Sequence, residues 1–262
     1  MSVATPRSNR FPLRLAQVSR LPQSGGDKAL HRSGQSVTPV GLGLDSQGVR
    51  LQLVQRLRKG GVSHCGVLDA MSAVCRHDFL DSALAAQAYE DTSLPIGHGQ
   101  TISKPSVIAR MIELLFEGEG ARKSASLGRV LEIGTGCGYQ AAVISLLSIN
   151  LVSIERIKAL HDRAAVRLAG IRRDNIRLVF GDGMFGHPPN APYDSIIAAA
   201  GGEHLPAAWL EQLAPFGRLV VPSRQPGSDR QVLVVVDRNE QGVRQSLHEA
   251  VNFVPLIPGV VV

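Results

Sequence analysis

Cysteine is scarce in this 262-residue chain: Cys65, Cys75 and Cys137 form neither a C-x-x-C pair nor an even framework. That argues against a structural zinc site and a disulfide scaffold, and it fits a reducing compartment. No apolar run approaches the roughly 20 residues that span a bilayer, and the N-terminus lacks the apolar middle region of a secretory signal. Acids are missing from the first 26 positions, where Arg7, Arg10, Arg14 and Arg20 stand among serines. Both a mitochondrial transit peptide and a plain unstructured basic extension have that composition. No internal repeat is apparent. These absences predict a soluble, cytoplasmic protein with no membrane partner.

The formal charge of +6 and the pI of 9.6 would suggest nucleic acid if the charge covered a folded face. Residues 1–50, however, hold seven basic side chains and two acids, which leaves the rest of the chain nearly neutral. A nucleic-acid-binding core is therefore not expected. The apolar fraction of 44% is ample for a packed core.

Residues 1–48 mix Ser, Gln, Gly, Pro and Arg without sustained periodicity, and read as a disordered or loosely attached extension. Residues 49–262 read as one folded domain. Leu51, Val54 and Leu57 recur at helical spacing before Gly60 and Gly61, and Val67, Leu68, Met71, Val74 and Cys75 repeat the pattern. The stretch Leu94–Leu115 has a turn-rich front half, then Val107, Ile108, Met111, Ile112 and Leu115 at helical spacing, so a helix begins at or just after Ser103. From Arg129 on, short β-branched runs alternate with helical segments. This predicts parallel strands at 129–133, 151–155, 176–180, 195–199 and 218–221, followed by an antiparallel pair around the 239–242 turn at one sheet edge.

The first of these strands runs into "EIGTGCGY". A nicotinamide fingerprint needs G-x-G-x-x-G, but the glycines fall at Gly134, Gly136 and Gly138, with Tyr139 where the last should be. A G-x-G-x-G turn after Glu132 lets the backbone approach a ligand that has no pyrophosphate, which favours S-adenosylmethionine. Glu155, 21 residues past Gly134, ends the next strand, where an acid can accept from both ribose hydroxyls. Asp182, between two glycines after the third strand, can accept from an adenine amino group. Each has a plainer reading: Glu155 pairs with Arg156 or solvent, and Asp182 closes an Asx-type turn. Cys137 reads as a small turn residue, because nothing near it in sequence would lower its pKa.

From Val49 to Gly259 the sequence resembles the protein-L-isoaspartate O-methyltransferase family. The glycine turn is shared with methyltransferases in general; "LPIGHGQTIS" (Leu94–Ser103) and "FVPLI" (Phe253–Ile257) are peculiar to the isoaspartate enzymes. The resemblance implies an α/β fold, a doubly wound, mostly parallel Rossmann-like methyltransferase sheet with extra N-terminal helices and an antiparallel C-terminal strand pair. It implies a cytosolic repair enzyme that uses S-adenosyl-L-methionine, yields S-adenosyl-L-homocysteine, and methylates the α-carboxylate of isoaspartyl residues in damaged proteins and peptides; a monomer or weakly associated chain is expected, with no metal. Glu132, Gly134, Thr135, Gly136, Gly138, Glu155, Asp182 and Gly183 become the cofactor-binding candidates. Ser103, from the family's T-I-S motif, becomes the catalytic one, with Thr101 beside it.

The chain departs from the family pattern in three places. Cys75 precedes the Arg76–His77 pair where proline is usual, Ala198–Pro206 lacks a threonine, and Asn252 stands where arginine is common. Read from its surroundings alone, Ser103 could equally be a helix N-cap bonding the Ser106 amide. His98 and Gln100 can be mere loop-shaping residues. The chemistry itself demands little: a carboxylate is a nucleophile at pH 7 and a sulfonium is already activated, so alignment and desolvation suffice. Another O-methyltransferase, a non-catalytic cofactor-binding module and a nicotinamide oxidoreductase are the alternative readings.

Overall fold

The computed structural model describes residues 47–171, 173–225, 227–228 and 230–262. The expected N-terminal extension lies outside them except for Gln47 and Gly48, which open the first helix. That helix, α1 (Gln47–Lys59), turns Leu53 and Leu57 inward; Leu51, expected on the core face, is 47% exposed instead. In α2 (Cys65–Ala73), Val67, Leu68 and Met71 are buried as the periodicity implies. The 3₁₀ turns Arg76–Phe79 and Ser82–Gln87 then lead to a β-hairpin.

The hairpin pairs β1 (Leu94–Gly97) with β2 (Gln100–Ile102), antiparallel, within the stretch expected only to turn. Gly97, His98 and Gly99 all have positive φ, so the chain reverses through backbone that glycine tolerates best. α3 (Pro105–Phe116) follows, then α4 (Glu119–Ser124).

The main sheet holds β3 (Arg129–Ile133), β4 (Asn150–Glu155), β5 (Ile176–Phe180), β6 (Tyr193–Ala198), β7 (Leu213–Arg224), β8 (Gln231–Asn239) and β9 (Gly242–Val251). Helices α5 (Tyr139–Ser145), α6 (Lys158–Gly170) and α7 (Ala207–Gln212) fall in the β3–β4, β4–β5 and β6–β7 connections. The spatial order is β5-β4-β3-β6-β7-β8-β9; β8 and β9 join antiparallel at one edge, and the other pairings are parallel. The order reverses between β3 and β6, and a crevice at the strand ends of such a switch point is where open α/β sheets bind ligands. β7 starts five residues before the expected 218 because its first part, with Phe216 at φ +61°, bulges against β6 before the ladder becomes regular.

Alternation along the strands feeds two cores. Val130, Leu151, Ile197, Val220, Leu233 and Val235 pack with α1–α3 and α5, while Leu131, Ile133, Ile154, Ile196, Leu219 and Val234 pack with Trp209 of α7 on the other face. The parallel strands thus have both faces covered.

Candidate active site

The strand ends at the switch point open into a cleft of about 870 Å³, counted out to its mouth. Its floor is Ile133, Gly134, Thr135 and Gly136; Ile154 and Glu155 form one side; Gly183, Ala199 and Ala200 continue it; and the β2 segment Gln100–Ser103 faces the glycine turn. A second, outer groove is lined by Thr92, Ser93, Lys104, Val107 and residues 250–253. Of all the residues lining the two, Ser103 alone belongs to both.

The glycine turn is built for close approach. Gly134 (φ +90°) and Gly136 (φ +57°) line the cleft, and a Cβ on Gly136 would press on Ile96 Cδ1 at 3.2 Å. Gly183 also lines it; a Cβ there would sit 2.5 Å from Ile133 Cγ2, so nothing larger fits between strand and cleft. Trp209, wholly buried in α7, holds that residue by donating from Nε1 to the Gly183 carbonyl at 2.8 Å. Glu155 accepts from the Gly136 amide through Oε2 (2.8 Å) and from the Ile157 amide through Oε1 (2.9 Å). Each carboxylate oxygen has a second lone pair, so the buried acid that shapes the turn can also accept from a vicinal diol in the cleft.

The structure gives four of these residues a more detailed setting. Glu132 does not reach the cleft: it is 0% exposed beneath the turn, where Ser153 donates to its Oε2 at 2.5 Å and itself shares a 2.5 Å hydrogen bond with the Thr135 hydroxyl. Burial raises the Glu132 pKa to about 7, against the opposing pull of the Ser153 hydrogen bond. Gly138 (φ +94°) is the N-cap of α5, and a Cβ there would meet Leu168 Cγ at 3.2 Å. Asp182 has both carboxylate oxygens engaged. Its Oδ1 accepts from the Met184 amide (2.9 Å) and its Oδ2 from the Gly259 amide (2.6 Å). Ser103 is not the N-cap of α3, which begins after Lys104; Asp91 takes the Ser106 amide and hydroxyl, each at 2.8 Å. Ser103 lines the cleft, and Thr101 lines it too.

Sequence reasoning assigned no place to the residues that roof the cleft. Val254, Pro255, Leu256 and Ile257 line it, and the tail beyond them is laced across the strand ends. The Gly201 amide donates to the Val254 carbonyl and the Leu256 amide to the Gly201 carbonyl; Arg156 Nε donates to the Gly259 carbonyl, and the Val261 amide to the Arg156 carbonyl. The "FVPLI" motif was the available signal. Tyr139, noted only as a missing glycine, is fully buried against the cleft, its pKa pushed up to about 12 by burial. Cys137 is buried there as well and burial raises its thiol pKa, which suits a packing role. His98 is exposed at the hairpin tip.

The cleft suits an adenosyl sulfonium better than a dinucleotide. Its lining contains one carboxylate, that of Glu155, and one guanidinium, that of Arg156, already engaged with the tail; no basic cluster waits for a pyrophosphate. Comparison with known proteins agrees. The family model described as Protein-L-isoaspartate(D-aspartate) O-methyltransferase matches residues 49–260. A protein-L-isoaspartate O-methyltransferase of Leptothrix cholodnii is 54% identical over 273 residues, covering 97% of this chain and 95% of the relative. One of Methylibium petroleiphilum is 54% identical over 272 residues, covering 99% of each. A solved structure named protein-L-isoaspartate O-methyltransferase superposes with a TM-score of 0.70 at 29% identity, over 79% of this chain and 65% of that one. A Plasmodium falciparum β-aspartate methyltransferase solved in complex with S-adenosyl-L-homocysteine shares the fold, with a TM-score of 0.66 at 21% identity over 79% of this chain and 97% of that one.

Proposed function

Since the chain belongs to the protein-L-isoaspartate(D-aspartate) O-methyltransferase family, we propose that its cleft holds S-adenosyl-L-methionine and that Ser103 presents to it the free α-carboxylate of an L-isoaspartyl residue. The chain is an S-adenosylmethionine-dependent protein methyltransferase, and S-adenosyl-L-homocysteine is its second product. The observation that carries the assignment of Ser103 is its position as the one residue common to the inner cleft and the outer groove. A cofactor inside and a peptide outside meet there.

When bound, the cofactor supplies a methyl group on a sulfonium, so the acceptor carboxylate needs alignment and no general base. Glu155 accepts from the ribose hydroxyls with the lone pairs its two amide contacts leave free. Gly134, Thr135 and Gly136 give the cofactor room, and Gly183 borders the adenine end. Glu132, Gly138 and Asp182 act from behind: the first two hold the glycine turn and α5, and Asp182 ties Met184 and the tail at Gly259. Ser103 and Thr101 orient the carboxylate, whose two oxygens accept their hydroxyl protons. Alignment of this kind is worth up to about 7–11 kcal/mol in favourable systems.

The same reading places the enzyme in the cytoplasm as a monomer. Its three cysteines form no disulfide, which suits a reducing compartment. Among the described residues no helix is long and apolar enough to cross a membrane. Incubation with an isoaspartyl peptide and methyl-labelled cofactor tests the proposal. An alkali-labile methyl ester is expected; bound peptide and bound cofactor without ester would refute it.

A further inference from the structure

Arg76 is a buried charge that nothing above uses. It opens a 3₁₀ turn, is 0% exposed, and lies 4.9 Å over the centre of the Tyr139 ring. Its Nη2 donates to the Ser103 carbonyl at 2.7 Å, while Nε and Nη1 are buried without a hydrogen-bond partner. The acid that acts on it electrostatically, Asp91, has both oxygens engaged by Ser106. Burial lowers the Arg76 pKa against the opposing pulls of Tyr139, Cys137 and Asp91; the first two are neutral at pH 7, and burial holds both above their ordinary values.

A guanidinium held in the interior with idle donors is costly because it lacks full pairing, and such costs cluster at functional sites. Ser103 and Tyr139 both line the cleft, so the charge stands just behind the wall where the acceptor carboxylate is seated. We infer that Arg76 is a positioning residue for methyl transfer: through the Ser103 carbonyl and the Tyr139 ring it fixes the seat of the acceptor carboxylate, and its positive charge draws that carboxylate in. The inference rests on the role of Ser103 proposed above. Arginine suits the task because its planar fork holds the carbonyl and stacks on the ring at once, which a lysine ammonium cannot do.

The test compares wild type, Arg76→Gln and Arg76→Lys in the full chain, with an isoaspartyl peptide as acceptor and S-adenosyl-L-homocysteine binding measured by calorimetry. Arg76→Gln is expected to lower kcat/KM for the peptide by about 100-fold, as a misplaced reacting group does. The loss should fall on peptide KM and kcat, while cofactor KM and S-adenosyl-L-homocysteine affinity stay within about threefold. Arg76→Lys, which keeps the charge without the fork, is expected to recover about tenfold of that loss. Turnover within about threefold of wild type in both variants overturns the inference, as does cofactor affinity falling in step with turnover. If the Gln variant fails to fold, the Lys variant decides alone. Reduced peptide turnover with cofactor binding intact supports the role; unchanged turnover, or failure to fold as well, overturns it. A wild-type chain that binds cofactor yet forms no ester refutes the proposed function itself, and with it the role of Arg76.

Discussion

Replacing Glu155 by glutamine separates the cofactor from everything else in the site. The carboxylate accepts from the Gly136 and Ile157 amides at 2.8 and 2.9 Å, and it is buried, so its charge is weakly screened. Glutamine keeps one acceptor oxygen and turns an NH2 toward the other backbone amide, so one charge-assisted bond becomes a donor–donor clash. On the cofactor side, the ribose hydroxyls lose an anionic acceptor and keep at most a neutral one. A hydrogen bond to a charged group contributes about 1.5–3 kcal/mol. The bond to the turn is weakened with and without cofactor and leaves Kd untouched; the ribose bond alone amounts to about 1.5–3 kcal/mol, or roughly 10- to 150-fold in Kd. Calorimetric titration with S-adenosyl-L-homocysteine reads this directly, with a thermal melt as the control for folding. A folded Glu155→Gln chain that binds S-adenosyl-L-homocysteine within about threefold of wild type would refute the placement of the ribose at this strand end.

Ser103→Ala removes a hydroxyl that caps no helix, so stability should hold while peptide turnover falls by about 10- to 100-fold and cofactor affinity stays constant; steady-state kinetics on an isoaspartyl peptide check it. Asp182→Ala frees the Met184 and Gly259 amides, and loss of such a cap costs about 1–2 kcal/mol locally; amide hydrogen exchange at Gly259–Val261 and cofactor dissociation should both speed up. Glu132 titrates near pH 7 in the fold, above the ordinary carboxylate value of 4.5, so its ionisation opposes folding. The cost is absent below about pH 4.5 and complete above about pH 7, which makes Glu132→Gln stabilising at pH 8 by on the order of 3 kcal/mol and neutral at pH 4.5; urea melts at the two pH values should differ accordingly, and an equal effect at both would contradict the assignment. Glu113 accepts from the Ser63 and His64 amides and from the Ser63 hydroxyl, and Glu113→Ala should cost about 2–4 kcal/mol by leaving those donors bare, seen as a lower denaturation midpoint.

The parts legible in the sequence are those where one local signal decides. The strands at 129–133 and 176–180 fall where their β-branched runs stand, and the G-x-G-x-G turn opens into the cleft because its glycines need positive φ. Side-chain direction was harder to read. Val130, Leu131, Glu132 and Ile133 are all buried, because a parallel strand covered on both faces shows no alternation to tell which side Glu132 takes. The commitment of Asp182 was hidden for another reason: its partner, Gly259, lies 77 residues downstream and reaches it only because the tail folds back over β4 and β5. The plainer cap reading of Ser103 fails for a like reason: Asp91, 15 residues upstream of Ser106, takes that amide. The hairpin of β1 and β2 escaped because its turn residues mask two short strands.

The central claim is that a cofactor in the cleft and an isoaspartyl carboxylate at Ser103 face each other. Methyl transfer to two peptides of one composition, one with an isoaspartyl and one with an aspartyl linkage at the same position, tests it most directly. Ester is predicted on the isoaspartyl peptide alone, forming about 10- to 100-fold more slowly in Ser103→Ala; equal methylation of both peptides, or undiminished methylation in that variant, would contradict it.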